Sequence, residues 1–357
     1  MSATEVAHIH GIAVLVLNWN GEHVIRECLS SLNEQTYPSY DVWIVDNASS
    51  DASCEIITCE YPWVHLLKLP ENTGFARGNN IGIREILKQN PALPYIALLN
   101  NDTRVSPDWL ERLAGAADSD ERIGSVASKM LCWDGTNRPE VIDTAGDMFY
   151  KHGLAGKRGH AEPAERFSER EDVFGACAGA ALYRAAMLEE VGLFDEDFFA
   201  YNEDVDLSFR ARMAGWRCVY EPNAVVWHRV SFTTVKFSDK ALFWAKRNSV
   251  WVMIKNLPGR FFIRHIFSIL GYNILSDIPW ILRGRWRPVM KGRWDAFKKL
   301  GEMRLKRKRI QTQRKITARE LERWIEMKTP WRESILRNVK NIDHISADKQ
   351  SDPDMEK

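Results

Sequence analysis

Between residues 13 and 99 the chain repeats one unit: a short apolar run, a polar cluster, then a segment of helical periodicity. The apolar runs are Ala13 to Leu17, Val42 to Val45, Val64 to Lys68 and Tyr95 to Leu99, and helical patterns cover Val24 to Asn33, Ala52 to Thr58 and Gly78 to Lys88. Strands that read as continuous apolar runs must be covered on both faces, and intervening helices supply that cover. The predicted fold class is α/β: a Rossmann-like, mostly parallel sheet with helices on both faces, extended at the C-terminus by further helices. Ligands bind such sheets beyond the carboxyl ends of the strands.

Those ends carry Asn18-Trp19-Asn20-Gly21, Asp46-Asn47, Asn72 to Asn80 and Asn100-Asn101-Asp102. Asp46 and Asn47 can accept from and donate to a nucleobase edge, or equally cap a helix. In the run Asn72 to Asn80, glycines permit close backbone approach and Arg77 suits a diphosphate. The run lacks the G-x-G-x-x-G and G-x-x-x-x-G-K-[ST] spacings, which weakens dinucleotide-oxidoreductase and P-loop readings. The candidate nucleotide-contacting residues are Asn18, Asn20, Asp46, Asn47, Asn72, Gly74, Arg77, Asn79 and Asn101. Asp102 offers a hard oxygen to magnesium or manganese, whose other positions phosphate oxygens and water would fill. A turn and helix cap before Ser106-Pro107-Asp108 is the plainer alternative.

A second acidic cluster, Glu203, Asp204 and Asp206, follows about a hundred residues on. Neighbouring carboxylates raise one another's proton affinity, which suits a base toward a hydroxyl; an acidic first helical turn explains the cluster as well. His228 ends an apolar strand, where a lone histidine is more often structural than a ligand. Residues 124–165 are looser and rich in Gly, Asp and charge, as expected of connecting strands and a mobile surface loop.

At 357 residues with a net charge of +1 the chain exceeds one typical domain and has no global pull toward nucleic acid. Six cysteines without a C-x-x-C pair suggest reduced thiols and a cytoplasmic setting. Ile12 to Leu17 is too short and lacks a basic leader, so it reads as a strand and not a signal peptide. Phe261 to Leu282 comes nearest to a membrane span but contains Arg264, His265 and Asp277.

Composition shifts near residue 236, dividing the chain into a catalytic part (1–235), a helical, aromatic and basic extension (236–338) and a disordered tail (339–357). Helices are predicted over Ala241 to Leu257 and Phe261 to Leu282, broken by Pro258 and Pro279. Residues 283–315 hold fourteen Lys or Arg against only Asp295 and Glu302. With Phe243, Trp244, Trp251, Phe261, Phe262, Phe267, Trp280 and Trp286, this run suggests peripheral contact with an anionic membrane, at the inner face of the plasma membrane. An ordinary helical cap or dimer face is the alternative.

The set Val14 to Gly21, Val45 to Asp51, Asn72 to Asn80, Leu98 to Asp102 and Tyr201 to Leu207 resembles the family 2 glycosyltransferases, particularly their rhamnosyltransferase-like bacterial branch, over about residues 11–234. The resemblance implies a GT-A fold, a nucleotide-diphosphate sugar donor, a divalent metal (Mg or Mn) and inversion at the anomeric carbon. Carried over, Asp46 meets the nucleobase, while Asn72, Arg77 and Asn79 line the nucleotide. Asp102 matches the last acid of a metal-binding D-x-D in which Asn100 replaces the first, and His228 matches a late histidine that completes the metal shell. Asp204 matches the catalytic base, with Glu203 positioning the acceptor or orienting Asp204. The expected activity is transfer of a hexose or deoxyhexose, rhamnose being favoured, to a glycan or lipid-linked glycan in cell-surface polysaccharide synthesis, with no nucleic acid partner. A sugar-phosphate nucleotidyltransferase and a non-catalytic glycan-binding homologue are the rival expectations; the first would need a cationic triphosphate loop that Asn18-Trp19-Asn20-Gly21 lacks.

Overall fold

The computed structural model describes residues 11–133, 141–229 and 238–327; the tail expected beyond 339 and part of the expected domain junction lie outside the described residues. In chain order the elements are β1 (Ile12–Asn18), α1 (Ile25–Asn33), β2 (Tyr40–Asp46), α2 (Ser53–Glu60), β3 (His65–Lys68), α3 (Gly74–Gln89), β4 (Tyr95–Asn100), β5 (Thr103–Val105), α4 (Trp109–Asp118) and β6 (Ile123–Cys132). Next come β7 (Val141–Thr144), β8 (Asp147–Tyr150), β9 (Ala155–Lys157), β10 (Glu171–Asp172), β11 (Ala180–Arg184), α5 (Ala185–Val191), α6 (Glu203–Met213) and β12 (Arg217–His228). The extension contributes α7 (Asp239–Asn256), α8 (Gly259–Leu282), α9 (Trp286–Lys298), α10 (Leu300–Thr312), α11 (Ala318–Glu322) and β13 (Ile325–Glu326).

The central sheet runs β10-β12-β6-β11-β4-β1-β2-β3. Neighbours are parallel from β4 through β3, and β11 is antiparallel to both β4 and β6. Apolar strands divide their side chains between two cores. Ile12, Val14 and Val16 of β1 join Tyr95, Ala97 and Leu99 of β4 on one face; Ala13 and Leu15 join Ile96 and Leu98 on the other. α1 covers the first face with Ile25, Cys28, Leu29 and Leu32, a single stripe at helical spacing.

Three expectations need correction. α3 starts at Gly74 and not Gly78, so Gly74, Arg77 and Asn79 belong to its first turns and not to a loop. Gly74 has φ +80°, and a Cβ there would lie 2.6 Å from Phe199, so only glycine fits this helix start. α8 continues through Pro279 to Leu282, the proline costing it one i→i−4 hydrogen bond without ending the helix. Residues 141–157 form the expected connecting strands, but Asp143, Thr144 and Asp147 on them are buried where surface positions were expected.

The extension shares a core with the catalytic part. Phe149, Phe174, Phe198, Val205 and Phe209 pack with Trp251, Val252, Leu257, Phe261, Met303 and Ile325. β13 also pairs in parallel with β8. Of the eight aromatics expected at a membrane surface, Trp251, Phe261 and Trp280 are buried and Phe243, Trp244 and Phe262 half-buried, leaving Phe267 and Trp286 exposed. Burying an aromatic or aliphatic side chain contributes roughly 1.5–3 kcal/mol. A chain ending at residue 238 is therefore expected to aggregate or unfold without cooperativity; a sharp thermal transition near that of the full chain would show that the catalytic part folds alone.

Candidate active site

Four strand tips converge through a buried polar network. Asn18 donates from Nδ2 to Asp46 Oδ1 (2.9 Å), Ser49 Oγ (3.2 Å) and Ser53 Oγ (2.9 Å), and its Oδ1 accepts from Asn101 Nδ2 (2.8 Å). Asp46 also accepts from Ser49 N–H and Oγ–H, at 3.0 and 2.5 Å. Asn47 binds the next tip, donating to Asn72 Oδ1 (3.1 Å) and Gly74 O (3.2 Å) and accepting from Thr73 N–H (2.8 Å). Asn18, Asp46, Asn47, Asn79 and Asn101 are buried, so their first task is to lock the rim; Asn20, Asn72 and Arg77 are exposed. Arg77 Nε stands 3.8 Å from Glu196, which Arg84 and Asn80 also bind. The first amides of α3 are consumed internally, with Gly74 N–H on Asn72 Oδ1 and Ala76 N–H on Phe199 O, so Arg77 is the cationic group at this helix start.

At the β4 tip, β5 turns back to pair antiparallel with β12 and sets His228 opposite Thr103. This brings His228 Nε2 within 3.3 Å of Asp102 Oδ1. On the other side of the ring, Nδ1 lies 2.9 Å from Asp143 Oδ2. Lys157 Nζ binds both Asp143 oxygens at 2.8 Å. Burial alone would lower the His228 pKa, but Asp102 and Asp143 outweigh it and raise it to about 9. Burial likewise opposes ionisation of Asp143, yet Lys157, His160 and His228 hold it well below the usual carboxylate range.

A carboxylate oxygen and an imidazole nitrogen facing each other, with a carboxylate orienting the ring from behind, is a donor set suited to Mn2+ or Mg2+. The Asn100 side chain lies against Gly179. A Cβ on Gly179 would meet its Nδ2 at 3.2 Å, and its backbone binds Gly179 O. Asp102 and His228 would hold the ion, leaving its other positions to diphosphate and water.

Asp204 lies at the same end of the sheet, against the residues that lead into β11. Its Oδ1 accepts from Val205 N–H (2.8 Å) and its Oδ2 from Ala178 N–H (3.3 Å). Burial raises its pKa. Ligand atoms of Asp204, Asp147 and Cys177 lie within 4.8 Å of one another. Burial, and then Asp204, push Asp147 well above its ordinary value, so the Asp147–Asp204 pair as a whole resists carrying two negative charges. Lys157 is raised by Asp143 and Asp147 against the effect of burial, linking the Asp102–His228 pair to the Asp204 pair through one chain of charges. Glu203 Oε2 is buried without a hydrogen-bond partner among the described residues, and burial followed by Asp204 raises its pKa well above normal. Asp206 has a structural role: its oxygens meet Lys255 Nζ (2.8 Å), Arg210 Nε (3.0 Å) and Asn256 Nδ2 (2.8 Å), which bring its pKa down to about 2 against the opposing effect of burial.

Asp143, Asp147 and Lys157 escaped the sequence reading because they lie in the loosely patterned stretch after residue 124. Asp143 and Asp147, four apart around Gly146 with φ +109°, were the available signal. The His228 pKa sets a pH dependence. A histidine ordinarily near 6.5 and raised to about 9 contributes stability that is complete below pH 6.5 and lost as pH rises through 9. The metal-free protein should melt at lower temperature at pH 9.5 than at 6, and His228→Gln should show a smaller drop; equal drops in both proteins would refute the buried imidazolium.

Residues 13–192 match the family model described as Glycosyl transferase family 2. An N-acetylglucosaminyl-diphospho-decaprenol L-rhamnosyltransferase of Mycobacterium tuberculosis is 28% identical over 257 residues, 65% of this chain and 82% of that protein. A poly-beta-1,6-N-acetyl-D-glucosamine synthase of Staphylococcus epidermidis is 23% identical, with 78% of this chain and 64% of that protein covered. Among solved structures, GalNAc-T7 with UDP, GalNAc and Mn2+ superposes with TM-score 0.57 at 15% identity, covering 71% of this chain and 49% of its own. S. aureus TarS 1-349 superposes at 0.51 and 14% identity, covering 88% and 89%. With half of its length matched by the family model and a GT-A architecture around the site, the chain belongs to glycosyl transferase family 2 and is a glycosyltransferase.

Proposed function

We propose that this glycosyltransferase moves a hexose or deoxyhexose, with rhamnose favoured, from a nucleotide-diphosphate sugar to a lipid-linked glycan with inversion, in the synthesis of a cell-surface polysaccharide. The observation that supports this reading best is that Asp204, bonded to the residues leading into β11, and the Asp102–His228 pair, at the tip of β4, share one end of the sheet. Asp204 takes the acceptor hydroxyl proton as that oxygen attacks the anomeric carbon from the face opposite the diphosphate. The new carbon–oxygen bond forms as the bond to diphosphate breaks, so configuration inverts. Two backbone N–H groups fix the carboxylate, and the neighbouring Asp147, with burial, favours a proton shared within the pair. Asp102 and His228 would hold a divalent ion, which when bound supplies Lewis-acid stabilisation to the departing diphosphate. Arg77 adds a positive charge from the start of α3, and the exposed Asn20 and Asn72 line the nucleotide over the locked rim of Asn18, Asp46, Asn47 and Asn101. The sugar and the lipid-linked acceptor follow the mycobacterial relative's name.

With Mn2+, a rhamnosyl nucleotide donor and a polyprenyl-diphosphate N-acetylglucosamine acceptor, the protein should release nucleoside diphosphate and form the glycosylated lipid. Asp204→Asn should lower kcat by about 10²–10⁴-fold with little change in donor binding. Undiminished turnover would remove Asp204 as base, and pyrophosphate release from a nucleoside triphosphate and a sugar phosphate would replace the transfer reading altogether.

The acceptor's lipid nature agrees with the surface of the extension. Past His265, every exposed position of α8 is apolar or glycine: Phe267 (88% exposed), Leu270, Gly271, Ile274 (63%), Leu275, Ile278, Ile281 and Leu282. Trp286, Met290, Trp294 and Phe297 continue an exposed stripe on α9. Apolar faces of this size mark interaction sites. Arg260 and Arg264 lie at one end of α8, and Arg283, Arg285 and Arg287 at the other. That pattern fits an anionic bilayer surface. In a two-fold contact between copies the same arginines would face each other. No helix among the described residues is long and apolar enough to cross a membrane, so the contact is interfacial. The chain should float with anionic vesicles more than with zwitterionic ones, and Phe267→Glu with Ile274→Glu should abolish this. Recovery in the soluble fraction, or a concentration-dependent dimer lost in the same double variant, would overturn membrane docking.

A further inference from the structure

The loop entering the catalytic helix has an unfavourable backbone. Phe199 has φ 63° and ψ −63° and is the centre of a three-residue γ-turn closed by Ala200 N–H on Phe198 O at 2.8 Å. Tyr201 and Asn202 follow at φ 72° and 67°, and Glu203 and Asp204 come next. Three non-glycine residues of four lie in the left-handed region, where side chains clash with their own backbone. Such a conformation persists only when its surroundings dictate it.

The dictating groups come from α7, far away in sequence. Asn248, fully buried, directs its Nδ2 at Phe198 O (3.0 Å), Ala200 O (2.8 Å) and Tyr201 O (2.7 Å). Arg247 Nη2 donates to Asp197 O and Phe198 O, both at 2.9 Å. Arg247 Nε also donates to Asn248 Oδ1 at 2.9 Å, which fixes the amide so that its nitrogen faces the carbonyls. Trp244, one turn earlier, stacks on Phe199 with ring centres 4.5 Å apart. On the loop's other side Phe199 O accepts from Ala76 N–H in the first turn of α3.

We propose that Arg247 and Asn248 are positioning residues for the transfer reaction: the extension holds the γ-turn in its strained form and thereby aims Asp204 at the acceptor. Neither side chain is assigned contact with donor or acceptor. Without them the Asp197, Ala200 and Tyr201 carbonyls would lose these donors, Phe198 O would keep the γ-turn bond from Ala200 N–H, and the loop would relax toward negative φ, swinging the start of α6. A base displaced by about 1 Å can lose about 10²-fold in rate while the donor site stays intact.

The inference rests on the transfer activity proposed above, so its test carries a readout independent of turnover. Asn248→Ala removes the donors; Asn248→Asp keeps the shape but turns an acceptor toward the carbonyls. Both should lower kcat by about 10²-fold with donor KM and nucleoside diphosphate affinity within about threefold of wild type. Both should also speed amide hydrogen exchange at residues 199–205 while β1 and β4 stay protected. Arg247→Lys, the milder change, gives the same readouts if the Asn248 variants fail to fold, with a kcat loss of about tenfold. Unchanged kcat and exchange would overturn the proposal, as would parallel loss of kcat and donor affinity, the mark of a general structural role. A wild-type chain without transferase activity whose variants still show faster exchange would leave the clamp standing and sink the proposed reaction instead.

Discussion

A buried chain of charges holds the catalytic helix to the rest of the molecule. Lys255 of α7, almost wholly buried, places its ammonium 2.8 Å from Asp206 of α6 and 2.5 Å from Asp195. Lys306 of α10 then binds Asp195 and Asp197 at 2.5 and 2.6 Å. Taking such groups out of water costs several kcal/mol each, and removing one partner leaves an uncompensated buried charge. The value of the arrangement lies in register. An apolar contact tolerates sliding, whereas a lysine between two carboxylates fixes how α6, α7 and the segment between α5 and α6 meet.

That register reaches the chemistry through neighbours on the same elements. Asp206 is two residues from Asp204; Lys255 lies two turns of α7 beyond Asn248; Asp197 adjoins the γ-turn. The cluster Glu203, Asp204 and Asp206 thus divides its labour by environment. Asp206, amid Lys255, Arg210 and Asn256, is pulled to about 2 and stays ionised as an anchor. Asp204, held by two backbone N–H groups, has its proton affinity raised by burial, which is what the proposed role of base calls for. Three acids within four residues have different roles because their partners differ.

The parallel half of the sheet was legible in the sequence because its signal is local: runs such as Val14-Leu15-Val16 must be buried on both faces, and the polar residues that follow must lie at the strand tips. Asp102, Asp204 and His228 were legible by residue type and motif. What the residue pattern alone could not show is which polar tips are free. Asn18 and Asp46 look like ligand contacts in sequence, yet in the fold they spend their hydrogen bonds on each other and on Ser49 and Ser53. Asp143 and Lys157 were hidden for the opposite reason: a turn-rich, charged stretch reads as surface, and only pairing of β6 with β7 and of β8 with β9 buries it. Aromatic residues of the extension misled in the same way, since Trp251 and Phe261 face Phe198 and Phe209 and the exposed face consists mainly of aliphatic side chains.

The extension therefore has two faces with different partners. One side of α7 carries Trp244, Arg247, Asn248, Trp251 and Lys255, at spacings of three and four, and is committed to the catalytic loop and the shared core. α8 and α9 turn their unmatched apolar stripes outward, and Arg293 of α9 ties back to Asp277 of α8 at 3.1 Å while Lys246 of α7 binds the same carboxylate at 2.6 Å. The outward face is thus cross-linked to the helix that holds the γ-turn. A sugar acceptor anchored in lipid would be presented at a height set by α8 and α9, and a base aimed by α7 would meet it in a fixed geometry. Through that connection the position of the outward stripes on α8 and α9 and the aim that α7 gives the loop before Asp204 are fixed together.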